Sequence, residues 1–242
     1  MAQLPHFFHD SPLTPNSIVS LDTDTARHIA QVLRMKPGEQ LSLTDGNGGM
    51  ATGTILAADK NKCSIQLLEV ESHEASKAQL HVIVAFTKNT SRNEWLLEKA
   101  TELGVASIIP VDATRSEKTH IRIDRWQKIL QSALLQSRQY FLPHLAEVTP
   151  LKKALDNFKD KKQKFIAHCI PGQPRHTFSE MLNPASETVI LIGPEGDFTP
   201  DEVNLATQLG YLPVSLGSQR LRTETAAIAA AAYFNVFNDG KN

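Results

Sequence analysis

Between residues 80 and 217, five short apolar runs, "LHVIVAFT", "SIIPV", "KFIAHCI", "TVILIG" and "LPVSLG", alternate with stretches whose apolar residues recur at helical spacing. No other feature narrows the fold as much. Apolar runs without polar alternation suit strands buried on both faces, and strands alternating with helices form a parallel sheet covered on both sides. The helices carry their own punctuation. Ser91 and Glu94 have the spacing of a capping box ahead of Leu96, Leu97, Ala100 and Leu103, closed by Gly104. Asp124 opens a longer helix with Trp126, Ile129, Leu130, Ala133, Leu134 and Ser137 on one face.

The sharpest junction is "ETVILIGPEGDFTPDE", residues 187–202. Val189 to Ile192 are apolar. Thr199 is a good N-cap, Pro200 takes the first helical position, Glu202 completes a Thr-x-x-Glu box, and Gly210 stands where the helix should stop. Gly193 to Phe198 therefore form a loop at the C-terminal end of a buried strand, the edge at which open α/β sheets bind ligands. A tight strand-to-helix turn would use the same Gly-Pro pair. A second such loop lies in "LPVSLGSQRLRTETAAIAAAA": Leu216-Gly217 leaves the sheet, Gln219 to Arg222 is polar and basic, and Thr223 caps an alanine-rich helix with Glu224 in its first turn. Neither loop reads Gly-x-Gly-x-x-Gly or carries Gly-Lys-Ser/Thr, which argues against dinucleotide and ATP sites. The small residues from Ala226 to Ala232, interrupted only by Ile228, call for close packing against a sheet or another subunit.

The first seventy residues read differently. "EQLSLTDGNGGMATGTILAADKNKCSIQLLEVES" alternates β-branched runs with Asp-Gly, Gly-Gly and Asp-Lys-Asn turns, the pattern of a small antiparallel barrel. One helix interrupts it, with Ala26, Ile29, Ala30 and Leu33 at helical spacing before Pro37-Gly38. The polar "SHEASKAQ", residues 72–79, is the linker, so the expected domains are 1–73 and 74–242.

A chain of 242 residues with net charge −1 is an ordinary globular protein that does not announce nucleic-acid binding. No apolar stretch reaches membrane-spanning length, and "MAQLPHFFHDSP" lacks a basic then apolar leader, so a cytoplasmic location is expected. Cys63 and Cys169 are far apart in separate apolar runs and read as buried thiols; the nine histidines form no metal constellation.

"LIGPEGDFTPDE" followed by "SLGSQRLRTETAAIAA" resembles the RsmE family of methyltransferases that modify N3 of a uridine in 16S rRNA. The resemblance extends through "FTKNTSRNEWLLEKATELGVASIIPV", "RWQKILQSALLQS" and "LPHL", and "HFF" with "HIAQVLRMKPGEQLSLTDGNG" is similar to the family's small RNA-binding barrel. Two positions differ. Asp197 stands where family loops often continue Gly-Pro-Glu-Gly-Gly, and Ser218-Gln219 interrupts the usual Leu-Gly-Pro-Arg.

The resemblance implies a PUA-like β-barrel followed by a SPOUT domain, a parallel sheet with helices on both faces whose C-terminal part is threaded as a trefoil knot. It also implies S-adenosylmethionine as cofactor, a homodimer, and 16S rRNA within the small ribosomal subunit as partner. No membrane and no metal is implied. The cofactor residues would be Ile192, Gly193, Pro194, Glu195 and Gly196 from one loop, and Leu216, Gly217, Leu221, Arg222, Thr225 and Ala226 from the other. Glycines there would let the backbone approach the cofactor. Uracil N3 becomes nucleophilic only on losing its proton, so the site needs a base and a cation near O2 or O4. Arg222 is the candidate cation, with pairing to Glu195 or Glu224 as its structural counterpart. Glu224 is the candidate base or orienting carboxylate, and a first-turn acid complementing the helix dipole is its structural counterpart.

On the barrel side, His6, Phe7, Phe8, Arg27, His28, Arg34 and Lys36 combine rings that can stack with charges that can meet phosphate, while Phe7 and Phe8 equally suit a core. Gln136 and Ser137 could reach the cofactor pocket, and Arg115 and Arg138 could meet phosphate. His168, inside a strand, reads as a satisfied interior histidine. A non-catalytic RNA-binding protein and a small-molecule nucleotide enzyme are the alternatives from other classes.

Overall fold

The structure, a computed structural model, describes residues 4–117 and 122–239. The beginning of the polar N-terminal stretch, residues 1–3, lies outside them. The chain divides into two units, one running to Ala75 and including Leu134–Leu142, the other made of Ser76–Ala133 and Pro143 onward.

In the first unit, β1 (His6–Phe8), β2 (Ile18–Leu21), β3 (Gln40–Thr44), β4 (Gly49–Ala58) and β5 (Cys63–Ser72) form one sheet in the order β1-β3-β4-β5-β2. Its pairings are antiparallel, as expected for residues 39–72, except that β1, ahead of that stretch, runs parallel to β3. Alternation in β3 to β5 puts Leu41, Leu43, Ala51, Ile55, Ile65 and Leu67 into one core with Phe7 and Cys63. The helix between β2 and β3 departs from the expected register. It begins as α1 (Thr23–Arg27), capped by the Asp22 carboxylate, and continues as a π-helical turn over His28–Val32. The wider turn, closed by Leu33 N–H donating to the His28 carbonyl, rotates the face by a residue. Ala26 and Ile29 stay buried, Leu33 is turned out to solvent, and Met35 packs on the core in its place.

The second unit holds β6 (Leu80–Val84), α2 (Thr90–Glu102), β7 (Ser107–Asp112), α3 (Ile123–Ser137) as far as Ala133, β8 (His144–Leu145), β9 (Thr149–Pro150), α4 (Leu151–Asn157), β10 (Gln163–Ala167), β11 (His176–Thr177), α5 (Phe178–Met181), β12 (Thr188–Ile192), α6 (Pro200–Gln208), β13 (Leu212–Ser215) and α7 (Thr223–Asn238). Its sheet runs β11-β13-β10-β12-β6-β7-β8, with β9 also on β7, and the pairings are parallel. Ile83, Ile109, Ile166, Val189 and Leu191 form one face's core with Leu151, Ala154 and Leu155 of α4 and Val203 and Ala206 of α6. Helix α7 packs on β6 and β12 and against α2. Both faces of the sheet are thus covered, which is why the strands read as unbroken apolar runs.

Two local expectations need correction. Helix α2 is capped by the Asn89 side chain, which accepts from Arg92 N–H, and Glu94 instead takes two hydrogen bonds from the Arg125 guanidinium. Thr223 is the first residue of α7 rather than its cap. The Thr199–Glu202 capping box forms as expected, and Gly210, at φ +83°, ends α6 in the left-handed conformation that glycine adopts without a Cβ clash.

Histidines set an acid limit on this fold. Burial, aided by Lys161, pushes His81 down to about 4, and burial also lowers His6 and His168. The unfolded chain binds more protons than the native one between about pH 6.5 and 4, so acidification favours unfolding in that window. Urea midpoints should fall as pH drops through it. His81 alone should contribute on the order of 2 kcal/mol, allowing for its partial solvent access. The His81→Asn protein should show a flatter profile; an unchanged slope would remove His81 from the explanation.

Candidate functional site

The two unusual loops meet at the C-terminal ends of β10, β12 and β13, strands that the sheet order places side by side. They enclose a cavity of about 450 Å³, within the range of small-molecule sites.

The first wall follows β12, whose five residues are all buried. Phe198 is also buried and its ring fills the space beside Gly193, where a Cβ would lie 3.0 Å from it. Gly196 has the Arg115 side chain over it, and Arg115 Nη1 donates to the Gly196 carbonyl at 2.8 Å. These two glycines therefore admit the protein's own side chains, a different reason from the expected approach to a ligand. Asp197 adopts a left-handed φ of 62°, held by its own carboxylate: Oδ1 accepts from Phe198 N–H at 2.8 Å and Oδ2 from Cys169 N–H at 2.7 Å.

The second wall follows β13. The Ser215 hydroxyl donates to the Gly217 carbonyl at 2.8 Å, and Gly217 has φ +137° with open space where a Cβ would stand. The loops are tied together twice. Arg220 Nη2 donates to the Glu195 carbonyl at 3.2 Å, and the Thr223 hydroxyl donates to the Gly193 carbonyl at 2.8 Å. The second tie explains a threonine at the start of α7 better than capping does. The third wall is the end of β10, where Ala167, His168 and Cys169 line the cavity together with Arg175.

Of the expected cofactor residues, Ile192, Gly193, Pro194 and Glu195 line the cavity from the first loop, and Leu216, Gly217, Leu221 and Ala226 from the second. Gly196, Arg222 and Thr225 are exposed and are not among its lining residues. Glu224 is buried beneath the loops, with Oε1 3.6 Å from Arg92 Nε and Oε2 without a partner among the described residues. Arg222 precedes α7 with no side-chain capping bond, and it is Arg92, not Arg222, that lies against Glu224. Gln136 is exposed, the Ser137 hydroxyl donates to the Leu134 carbonyl, and neither lines the cavity.

Sequence reasoning missed the β10 wall. Cys169, expected to be buried, is exposed and lines the cavity, because β10 ends at Ala167 and the chain turns out into the loop. His168 is buried but not satisfied: Nδ1 accepts from Ile170 N–H, and Nε2 has no partner among the described residues. The available signal was the strand pattern itself, since neighbouring parallel strands share an edge, but sequence does not say which strands are neighbours.

In the first unit, Phe7 is core, His6 binds the Ser42 hydroxyl through Nδ1 at 2.8 Å, and Phe8 is half-buried beside Gly46. Arg27, His28, Arg34 and Lys36 are exposed around the π-helical turn, Arg27 within 3.5 Å of Asp24. Among the described residues no group of three or more His, Cys, Asp and Glu could hold a metal, and no helix is long and apolar enough to cross a membrane.

A family profile described as an RNA methyltransferase domain matches residues 74–235, and one described as an RNA methyltransferase PUA domain matches residues 21–68. The chain belongs to the RNA methyltransferase family. Ribosomal RNA small subunit methyltransferase E of Rickettsia conorii is 31% identical over 225 residues, covering 92% of this chain and 91% of that protein. Among solved structures, a probable rRNA-methyltransferase from Porphyromonas gingivalis is 33% identical with a TM-score of 0.90, covering 99% of this chain and 100% of the other. The ribosomal RNA small subunit methyltransferase E of Neisseria gonorrhoeae, solved bound to S-adenosyl methionine, is 30% identical with a TM-score of 0.81 and covers 98% of each chain. Each of these three likenesses covers more than nine-tenths of this chain.

Proposed function

We propose that this protein transfers a methyl group from S-adenosylmethionine to N3 of a uridine in 16S rRNA of the small ribosomal subunit. The observation that carries the reading is the cavity, built at one sheet edge from the very loops whose sequences resemble the RsmE family. The residues present suit the cofactor. Ile192, Leu216, Leu221 and Ala226 offer apolar surface for a purine. S-adenosylmethionine supplies an electrophilic methyl on a sulfonium sulfur.

The chain's own contribution is positioning and charge. The ties from Thr223 to Gly193 and from Arg220 to Glu195 fix the two loops against each other. Arg222, exposed at the start of α7, is placed to stabilise the negative charge that uracil O2 or O4 acquires when N3 loses its proton. Glu224, paired with Arg92, serves as an orienting carboxylate beneath the loop rather than as the base.

Residues 1–73 act as the RNA-binding domain, with Arg27, His28, Arg34 and Lys36 facing the nucleic acid. Residues 74–242 form the catalytic domain, knotted at its C-terminal part as in the SPOUT superfamily. Two copies pair through the exposed apolar side chains of Trp95 on α2 and Tyr233 and Val236 on α7. The enzyme works in the cytoplasm, where small subunits assemble.

Incubation with methyl-labelled cofactor and small subunits lacking the modification should place label in 3-methyluridine, identified by nucleoside mass. Label in another nucleoside would overturn the uracil N3 assignment. Cofactor binding without any transfer to subunits or free rRNA would point to another RNA as substrate, whereas RNA affinity with no cofactor binding would favour a non-catalytic RNA-binding role.

A further inference from the structure

The loop after β12 turns at residues 194–197, where Asp197 N–H donates to the Pro194 carbonyl at 2.9 Å. Neither Glu195 nor Gly196 takes a positive φ, so the turn is type I. The two central residues of such a turn are near-helical, and near-helical residues point successive carbonyls to the same side. Each of these two carbonyls is taken by an arginine from a different loop. Arg220 Nη2 donates to that of Glu195 at 3.2 Å, and Arg115 Nη1 to that of Gly196 at 2.8 Å. Guanidiniums from 25 residues later and 81 residues earlier in the chain are therefore gathered on one side of one turn.

Arg115 is firmly placed. Its stem lies on Gly196, where a Cβ would come within 3.3 Å of it. Its own turn is fixed by Thr114 N–H, which donates to the Glu202 carboxylate at 2.7 Å, and by Ala113 N–H, which donates to the Ser116 hydroxyl at 3.0 Å. Arg220 stands one place beyond the arginine of the usual Leu-Gly-Pro-Arg, so the departure at Ser218-Gln219 moves the cation along the loop rather than removing it. Both arginines are exposed, and Arg115 is outside the lining of the cavity, so the pair faces solvent at the rim.

A carbonyl partner leaves each guanidinium its full charge and most of its five N–H donors. Neither arginine pairs with a carboxylate among the described residues, and the Asp197 carboxylate is turned to Phe198 N–H and Cys169 N–H. Two like charges on one turn repel until an anion lies between them. A phosphodiester suits that place, because its two non-bridging oxygens accept from two guanidinium forks. S-adenosylmethionine carries no phosphate, and a cofactor inside the cavity does not reach Arg115.

We propose that Arg115 and Arg220 clamp one phosphate of the RNA strand, at the rim where that strand passes to bring a uracil to the methyl group. The inference rests on the proposed function and deepens it. The clamp sets the register of the backbone and reads no sequence, which leaves Arg222 to act on the base.

The test is methyl transfer to small subunits lacking the modification, at saturating cofactor and several salt concentrations. It compares the unmodified protein with Arg115→Gln, Arg220→Gln, the double variant and Arg115→Lys, and calorimetry gives the cofactor affinity of each. Each glutamine variant should lower kcat/KM about tenfold, through KM, with cofactor affinity within about twofold of the unmodified protein. In the double variant the slope of log kcat/KM against log salt should become shallower by about 0.7–0.9, the change for one phosphate. Arg115→Lys keeps the charge and should keep the slope. An unchanged kcat/KM and slope in the double variant overturns the inference. A slope change about twice as large also does, since each arginine would then hold its own phosphate. A fall in cofactor affinity that matches the fall in kcat/KM does so as well, because it would assign the pair to the cofactor or to holding the loops. If the unmodified protein transfers no methyl group, the proposed function itself fails, a result distinct from these.

Discussion

Replacing Arg222 with alanine should lower single-turnover methyl transfer by about 10²-fold or more while cofactor affinity changes by no more than about twofold. The asymmetry follows from placement. Arg222 stands at the start of α7, exposed, outside the lining of the cavity and without a capping bond, so its removal takes little from the cofactor site. The carboxylate of Glu224, with which it could have paired, lies 3.6 Å from Arg92 instead. In the proposed role its guanidinium stabilises charge that develops only as N3 is deprotonated and attacks, which is a transition-state interaction. Arg222→Lys should recover part of the loss, since a point charge replaces a fork of donors. Equal losses in affinity and rate would make Arg222 a cofactor-loop residue and remove its catalytic assignment.

Lys164→Met should destabilise the second unit by about 2–4 kcal/mol, a factor of about 10² in the folded-to-unfolded ratio. Lys164 is buried in β10, and its ammonium donates to the Lys159 carbonyl at 2.8 Å and the Leu209 carbonyl at 2.7 Å, 5.5 Å above the Tyr211 ring. Leu209 caps the C-terminal end of α6, where free carbonyls and the helix dipole both favour a cation. Methionine fills the volume but leaves two part-buried carbonyls without this donor. Urea unfolding checks this. A change below about 0.5 kcal/mol would mean that water replaces the ammonium without cost.

The α/β architecture was legible because buried parallel strands have only apolar residues to show, as in Val189–Ile192, and because the start of α6 is spelled out by Thr199, Pro200 and Glu202. The loops after β12 and β13 could be named as a ligand edge for the same reason. The end of β10 could not. His168 and Cys169 continue an apolar run, and their place in the cavity wall depends on β10 lying between β12 and β13, a non-local arrangement that periodicity does not encode. The π-helical turn at His28–Val32 was equally invisible, since its one-residue slip is resolved by Met35 packing in place of Leu33. Thr223 looked like a cap because threonines usually are, whereas its hydroxyl reaches across to Gly193, thirty residues earlier in the chain.

Titration of S-adenosylmethionine into the unmodified protein and into Ala226→Phe tests most directly whether this cavity is the cofactor site. Ala226 lines it from the first turns of α7, half-exposed, so a phenyl ring there occupies the space without entering the core. The expected result is one cofactor bound per chain in the unmodified protein and an affinity at least about 100-fold weaker in the variant, with unfolding midpoints alike. Equal binding by both proteins would place the cofactor elsewhere and contradict the reading of these loops.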